Sequence, residues 1–76
     1  MTQQEIQNYL TSIGYTEIGG LYVDPTGTYK FGIEQNQTTY YYPQYEAIIQ
    51  NSFLTGNTDL ENWMTKVISD SQNPPS

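Results

Sequence analysis

The sequence predicts a single α+β domain, and three observations carry that prediction. Apolar residues recur at helical spacing near both ends of the chain, the period between Tyr15 and Tyr42 switches to alternation, and turn-forming residues separate the alternating stretches. The predicted order is α-β-β-β-α-α, a three-stranded antiparallel meander with the helices packed on one face. Consecutive strands with short connections pair, and three amphipathic stripes need one sheet face to cover.

Thr2-x-x-Glu5 has the form of a capping box, and Ile6, Leu10 and Ile13 follow at helical spacing with Tyr9 beside them. A first helix is expected over residues 3–13, closed at Gly14. Leu21, Tyr22 and Val23 lead as a strand into Asp24-Pro25-Thr26-Gly27, with Asp first, Pro second and Gly last as a type I turn prefers. Tyr29, Phe31 and Ile33 alternate with Lys30, Gly32 and Glu34, and Glu34-Gln35-Asn36-Gln37 supplies a polar turn. Thr38-Thr39-Tyr40-Tyr41-Tyr42 is β-branched and aromatic throughout, a third strand.

Pro43 suits the first turn of a helix, and Tyr45, Ile48, Ile49 and Phe53 fall on one helical stripe with Gly56 as a stop. Thr58-x-x-Glu61 repeats the capping-box form before Leu60, Trp63, Met64, Val67 and Ile68, the clearest amphipathic stripe in the chain. The domain is expected to span residues 1–70, and the polar, proline-containing stretch 71–76 is expected to be a mobile tail. At 76 residues, folding buries only about 60% of the unfolded chain's surface. With no cysteine to staple it, the domain rests on packing that typically supplies ~3–5 kcal/mol.

Composition excludes several functions. The chain carries eight Asp and Glu, two Lys and no Arg, His or Cys, for a net charge of −6. Without His or Cys the common general base, the best nucleophile and the usual zinc ligands are missing, so neither catalysis nor a metal or other cofactor is expected. Glycine-rich phosphate loops are absent, and Asp24 to Thr28 lacks the carboxylates and length of a calcium loop. Two lysines cannot neutralise a phosphate backbone, which argues against direct nucleic-acid binding. The N-terminus lacks a basic region followed by an apolar stretch, and no segment reaches membrane-spanning length, so a cytoplasmic protein with no membrane partner is expected.

Eight tyrosines remain to be explained, six of them between Tyr15 and Tyr42. If Tyr29, Phe31 and Ile33 face the helices, Lys30 and Gly32 face outward. Leu21 and Val23 are expected inward, leaving Tyr22 outside, and either Tyr41 or the pair Tyr40 and Tyr42 points in. Exposed tyrosine is enriched in protein interfaces, so Tyr22, Tyr40 and Tyr42, with Glu34 and Glu46 to meet a basic rim, are the candidate partner-binding residues. The expected function is a small acidic protein-binding module that occupies a basic, nucleic-acid-binding surface of a partner as a decoy. In size, charge and mixed architecture the chain is similar to small acidic inhibitors encoded by phages and mobile elements, anti-CRISPR proteins among them, although no motif identifies such a family. The alternative is a structural or assembly protein that self-associates, for example as a homodimer, through a tyrosine-rich sheet face.

Overall fold

The computed structural model describes residues 1–73 of the chain, as two helices on one face of a five-stranded antiparallel sheet. In chain order the elements are α1 (Gln3–Ser12), β1 (Thr16–Ile18), β2 (Leu21–Val23), β3 (Lys30–Ile33), β4 (Gln37–Tyr42), β5 (Tyr45–Gln50), a short 3-10 turn (Asn51–Phe53) and α2 (Asn57–Gln72). The α+β class and the antiparallel meander stand. The strand number and helix order do not: among the described residues five strands replace three, in the order β1-β2-β3-β4-β5, and two helices replace three.

The helix expected from Pro43 to Phe53 is β5 and the 3-10 turn. Tyr45, Ile48, Ile49 and Phe53 fit a helical period, but Tyr45, Ala47 and Ile49 also alternate with Glu46, Ile48 and Gln50. Pairing decides between the two readings. Pro43 and Gln44 form a two-residue turn that sets Tyr42 opposite Tyr45, and the register then runs through Tyr40↔Ala47 and Thr38↔Ile49 to Gln37↔Gln50. Six residues of β4 thereby find six partners, which a local helix could not supply. Pro43 costs nothing in this position, since its fixed φ suits the first corner of a turn.

Strand β1 leaves no periodic signal in the sequence, because it is only three residues long and all three are exposed. Its existence depends on Gly19 and Gly20, whose φ angles of 59° and 86° are those of the tight mirror-image turn that matches strand twist. Helix α1 ends as expected around Gly14: the Gly14 N–H donates to Thr11 O at 3.1 Å and the Tyr15 N–H to Leu10 O at 2.9 Å, a Schellman closure. Its capping box is formed in full between Thr2 and Glu5. The second capping box is not. α2 starts two residues earlier than that box requires, with Gly56 as N-cap and no side-chain cap, so Thr58 lies inside the helix and Glu61 turns to accept from the Tyr9 hydroxyl at 3.3 Å. The expected tail also begins too early, since Ser71 and Gln72 form the last turn of α2 and Ser71 is buried; residues 74–76 lie outside the described residues.

The core lies between the sheet and the helices. Ile6 and Leu10 of α1 and Leu60, Met64 and Val67 of α2 close over Phe31, Ile33 and Tyr40, with Leu54 joining from the connection. Phe31 is the centre of an aromatic group: tilted contacts link it to Tyr15, Tyr40 and Trp63 at centroid distances of 5.8, 5.2 and 5.9 Å. Burial of the Tyr15 phenol, with the negative charge of Asp24 nearby, pushes its pKa up to about 12.

The polar groups in this core are paired. Ser71 donates its single hydroxyl proton to Ile68 O at 2.7 Å, so Tyr40 Oη is the donor in the 2.7 Å bond it shares with Ser71. Asn51 is a buried junction: it accepts from Thr38 Oγ1 at 2.7 Å and its amide donates to Glu34 O at 2.8 Å. Its N–H donates to Asn36 O at 2.8 Å. Among the described residues, no buried side-chain polar atom lacks a partner.

Candidate functional site

Pairing register divides the sheet's side chains cleanly between two faces. Tyr22 is opposite Phe31, and Phe31 is opposite Tyr40, so all three point towards the helices. Tyr42 shares that face by alternation and stacks on Tyr40 with centroids 6.3 Å apart and planes 9° from parallel. The expected orientation of β2 is therefore reversed: Tyr22 packs against the core, and Leu21 points outward. Of the triple, it is Tyr41 that faces out, with Tyr40 fully buried.

The outward face is uncovered by helix and has its own order. Ile18 pairs with Leu21, Gly32 with Thr39 and Thr39 with Ile48, giving one row across all five strands. Ile18 and Ile48, at the two ends, are 60% and 56% exposed. In the middle, Tyr41 leans diagonally across Gly32: a Cβ built there would meet Tyr41 Cε2 at 3.0 Å and Leu21 Cδ2 at 3.4 Å. The missing side chain lets the tyrosine lie along the sheet rather than stand off it, and Thr39 on the same face is buried. The result is a flat surface with an apolar row and Lys30, Tyr41 and Glu46 in the adjacent row. At its turn end an open groove of about 540 Å³ is lined by Gly27, Thr28, Lys30, Tyr41, Tyr42 and Pro43.

The charges divide by commitment. Asp24 is buried at the start of its loop and accepts from Thr26 Oγ1 at 2.6 Å and from the N–H groups of Thr28 and Tyr29, both at 2.8 Å. Burial pushes its carboxyl up, but these hydrogen bonds outweigh it and hold the pKa below the usual value. Glu5 is held low by the Thr2 backbone N–H and then its hydroxyl, and Asp59 by the hydroxyl and then the N–H of Thr55. Glu17 accepts from the Gly20 N–H at 2.8 Å, Glu61 from Tyr9, and Asp70 pairs with Lys66 at 3.2 Å. Glu34 and Glu46 remain: both are exposed, and neither carboxylate has a hydrogen-bond partner among the described residues. They lie at opposite ends of the β3-β4-β5 hairpins and are not brought together, and Glu46 alone stands on the outward face, opposite Tyr41.

Compared with protein-family models, curated proteins and solved structures, the chain matches none.

The second open cavity, about 530 Å³ between the start of α1 and the end of β5, is lined by amide, hydroxyl and thioether side chains such as Gln3, Gln35, Gln50 and Ser52, with no titratable side chain. Among the described residues no group of three Asp or Glu comes together, and no helix is long and apolar enough to cross a membrane. The residues that sequence reasoning did not single out are Ile18, Leu21, Tyr41 and Ile48. Turn length was the signal for Tyr41: a two-residue turn at Gln35-Asn36 sets Phe31 opposite Tyr40, and an inward Phe31 then forces Tyr41 outward.

Proposed function

We propose that the protein is a small acidic binding module whose uncovered sheet face docks on a basic, nucleic-acid-binding surface of a partner protein and keeps nucleic acid from it. The observation that carries this reading is the outward face of a domain of only 76 residues: Ile18 and Ile48 are exposed at the two ends of a row that runs through half-buried Leu21, and Tyr41 is laid flat and exposed over Gly32. Apolar surface of this kind, beside a tyrosine and rimmed by charge, matches the make-up of protein interfaces. Glu46 on that face and Glu34 beyond it are the carboxylates with no internal partner, and the net charge of −6 favours association with a basic surface. Of the residues first considered, Tyr22, Tyr40 and Tyr42 serve the core, and contact passes to Tyr41 with Ile48. Self-association through a tyrosine-rich face, the alternative reading, would have to use the same Tyr41 surface.

Binding to purified basic nucleic-acid-binding proteins, with and without competing nucleic acid, tests the proposal. Expected are competition with nucleic acid, weaker binding as salt rises, and at least a tenfold loss for Tyr41→Ser with Ile48→Ser. Binding indifferent to salt and to Glu46→Gln removes the electrostatic part. Binding that survives the double substitution removes the face.

A further inference from the structure

The two edges of the sheet differ in what they leave unpaired. The bonds from Asn51 N–H to Asn36 O and from Glu34 N–H to Gln37 O fix the alternation of the ladder. In that alternation β4 exchanges hydrogen bonds with β5 through the pairs Tyr42–Tyr45, Tyr40–Ala47 and Thr38–Ile49. The N–H and C=O groups of Glu46, Ile48 and Gln50 therefore point away from the sheet, and none of them has a hydrogen-bond partner among the described residues. At the opposite edge, three-residue β1 presents only Glu17 in this way. Natural sheets blunt a free edge with a short strand, lysine, proline or a bulge. β1 uses the first of these devices. β5, six residues long and regular in its alternation, has no lysine, proline or bulge, and its one charged side chain is Glu46.

We propose that β5 is the site at which two copies of this chain pair, antiparallel about a two-fold axis at Ile48, to form one continuous sheet. The register follows from the groups themselves. Centring on Ile48 places its outward N–H and C=O against the same groups of the partner's Ile48, and Glu46 against the partner's Gln50, for about six new backbone hydrogen bonds. On the outward face the two Ile48 side chains meet, which joins the two apolar rows end to end. Each Glu46 finds a neutral amide rather than another carboxylate. Centring on Glu46 instead would oppose the two carboxylates directly, which is unfavourable across a strand pair. Isologous pairing of this kind closes with two copies, because β1 is too short to continue it.

Sedimentation and backbone-amide hydrogen exchange of the chain alone, across a concentration series, test the pairing. A concentration-dependent dimer is expected, in which the amides of Glu46, Ile48 and Gln50 become protected as the dimer forms. Because two copies each carry −6, salt should strengthen the dimer, whereas it should weaken capture of a basic partner; the two proposals thus stand or fall separately. Ile48→Pro removes an N–H that the fold does not use and should leave a monomer. Gln50→Glu, which leaves the backbone untouched, should weaken the dimer at least tenfold by facing Glu46 with a second carboxylate, and Glu46→Lys added to it should restore the dimer. A chain that stays monomeric at millimolar concentration overturns the proposal. So does a dimer indifferent to Gln50→Glu, or one whose protected amides lie outside β5.

Discussion

Asn51 shows how much a single side chain holds in this molecule. It receives the Thr38 hydroxyl from β4, ties its amide to the Glu34 and Gln35 carbonyls, and its own carbonyl accepts from the Met1 amino group at 2.8 Å. Truncating it would leave the buried Thr38 hydroxyl without its acceptor and the Glu34 and Gln35 carbonyls without their donor. Asn51→Ala is expected to cost about 2–3 kcal/mol in urea unfolding, since each orphaned buried group carries a desolvation penalty of that order. Restoring balance with Thr38→Val should not add the full cost of a second independent change, because the hydroxyl being removed is already unpaired; full additivity would show that the junction is not shared. Nothing in the sequence announces this role. Asn51 sits in a stretch that reads as amphipathic helix, where an asparagine would be expected on the solvent side.

At the scale of elements, what could be read in the sequence divides by whether a local signal was unique. Helix α1 carries three agreeing signals, a capping box, a helical stripe and a glycine closure, and its position is legible to within a residue. Strands β3 and β4 carry alternation and β-branched or aromatic composition, and they too were legible. β5 was not, because Ile48 and Ile49 satisfy both periods and only the register with β4 chooses between them. That choice has a measurable signature. A helix would bury both isoleucines on one stripe, whereas the strand exposes Ile48 and packs Ile49 against the core. Ile48→Ser is therefore expected to change stability by less than about 0.5 kcal/mol, as exposed sites do. Ile49→Ser should cost about 2 kcal/mol through lost burial. Equal costs at the two positions would contradict the assignment of β5.

The candidate face was illegible for a related reason. The alternation of each strand is visible in the sequence, but the phase between strands depends on the number of residues in each turn, which periodicity alone does not carry. Once Phe31 is inward, Tyr22 and Tyr40 follow it as direct cross-strand partners.

For the whole molecule, charge acts on stability through the few carboxylates that the fold engages. Glu5, Asp24 and Asp59 all titrate lower in the folded chain than their ordinary values of 4.5, 3.8 and 3.8. A group whose folded pKa lies below its unfolded one contributes stability above the unfolded value and loses it as pH falls through the folded value. Urea midpoints should hold from neutral pH down to about 5, then fall below about 4.5 as these groups take up protons. Asp24→Asn should lower the midpoint clearly at neutral pH and progressively less at acid pH, as the native carboxyl takes up its proton below its lowered pKa. A difference of the same size at neutral and acid pH would mean that the charge of Asp24 contributes nothing.

The strictly sequential sheet has a kinetic consequence. Every strand pairs only with its neighbours along the chain, across connections of two to six residues, so no strand waits for a distant segment before it can zip. The costly loop closures are left to the helices, which come from opposite ends of the chain and meet at Tyr9 and Glu61. Such a chain folds at the fast end of the range for sheet proteins, and the docking of α2, which follows the whole sheet in sequence, is the event that seals the aromatic centre around Phe31.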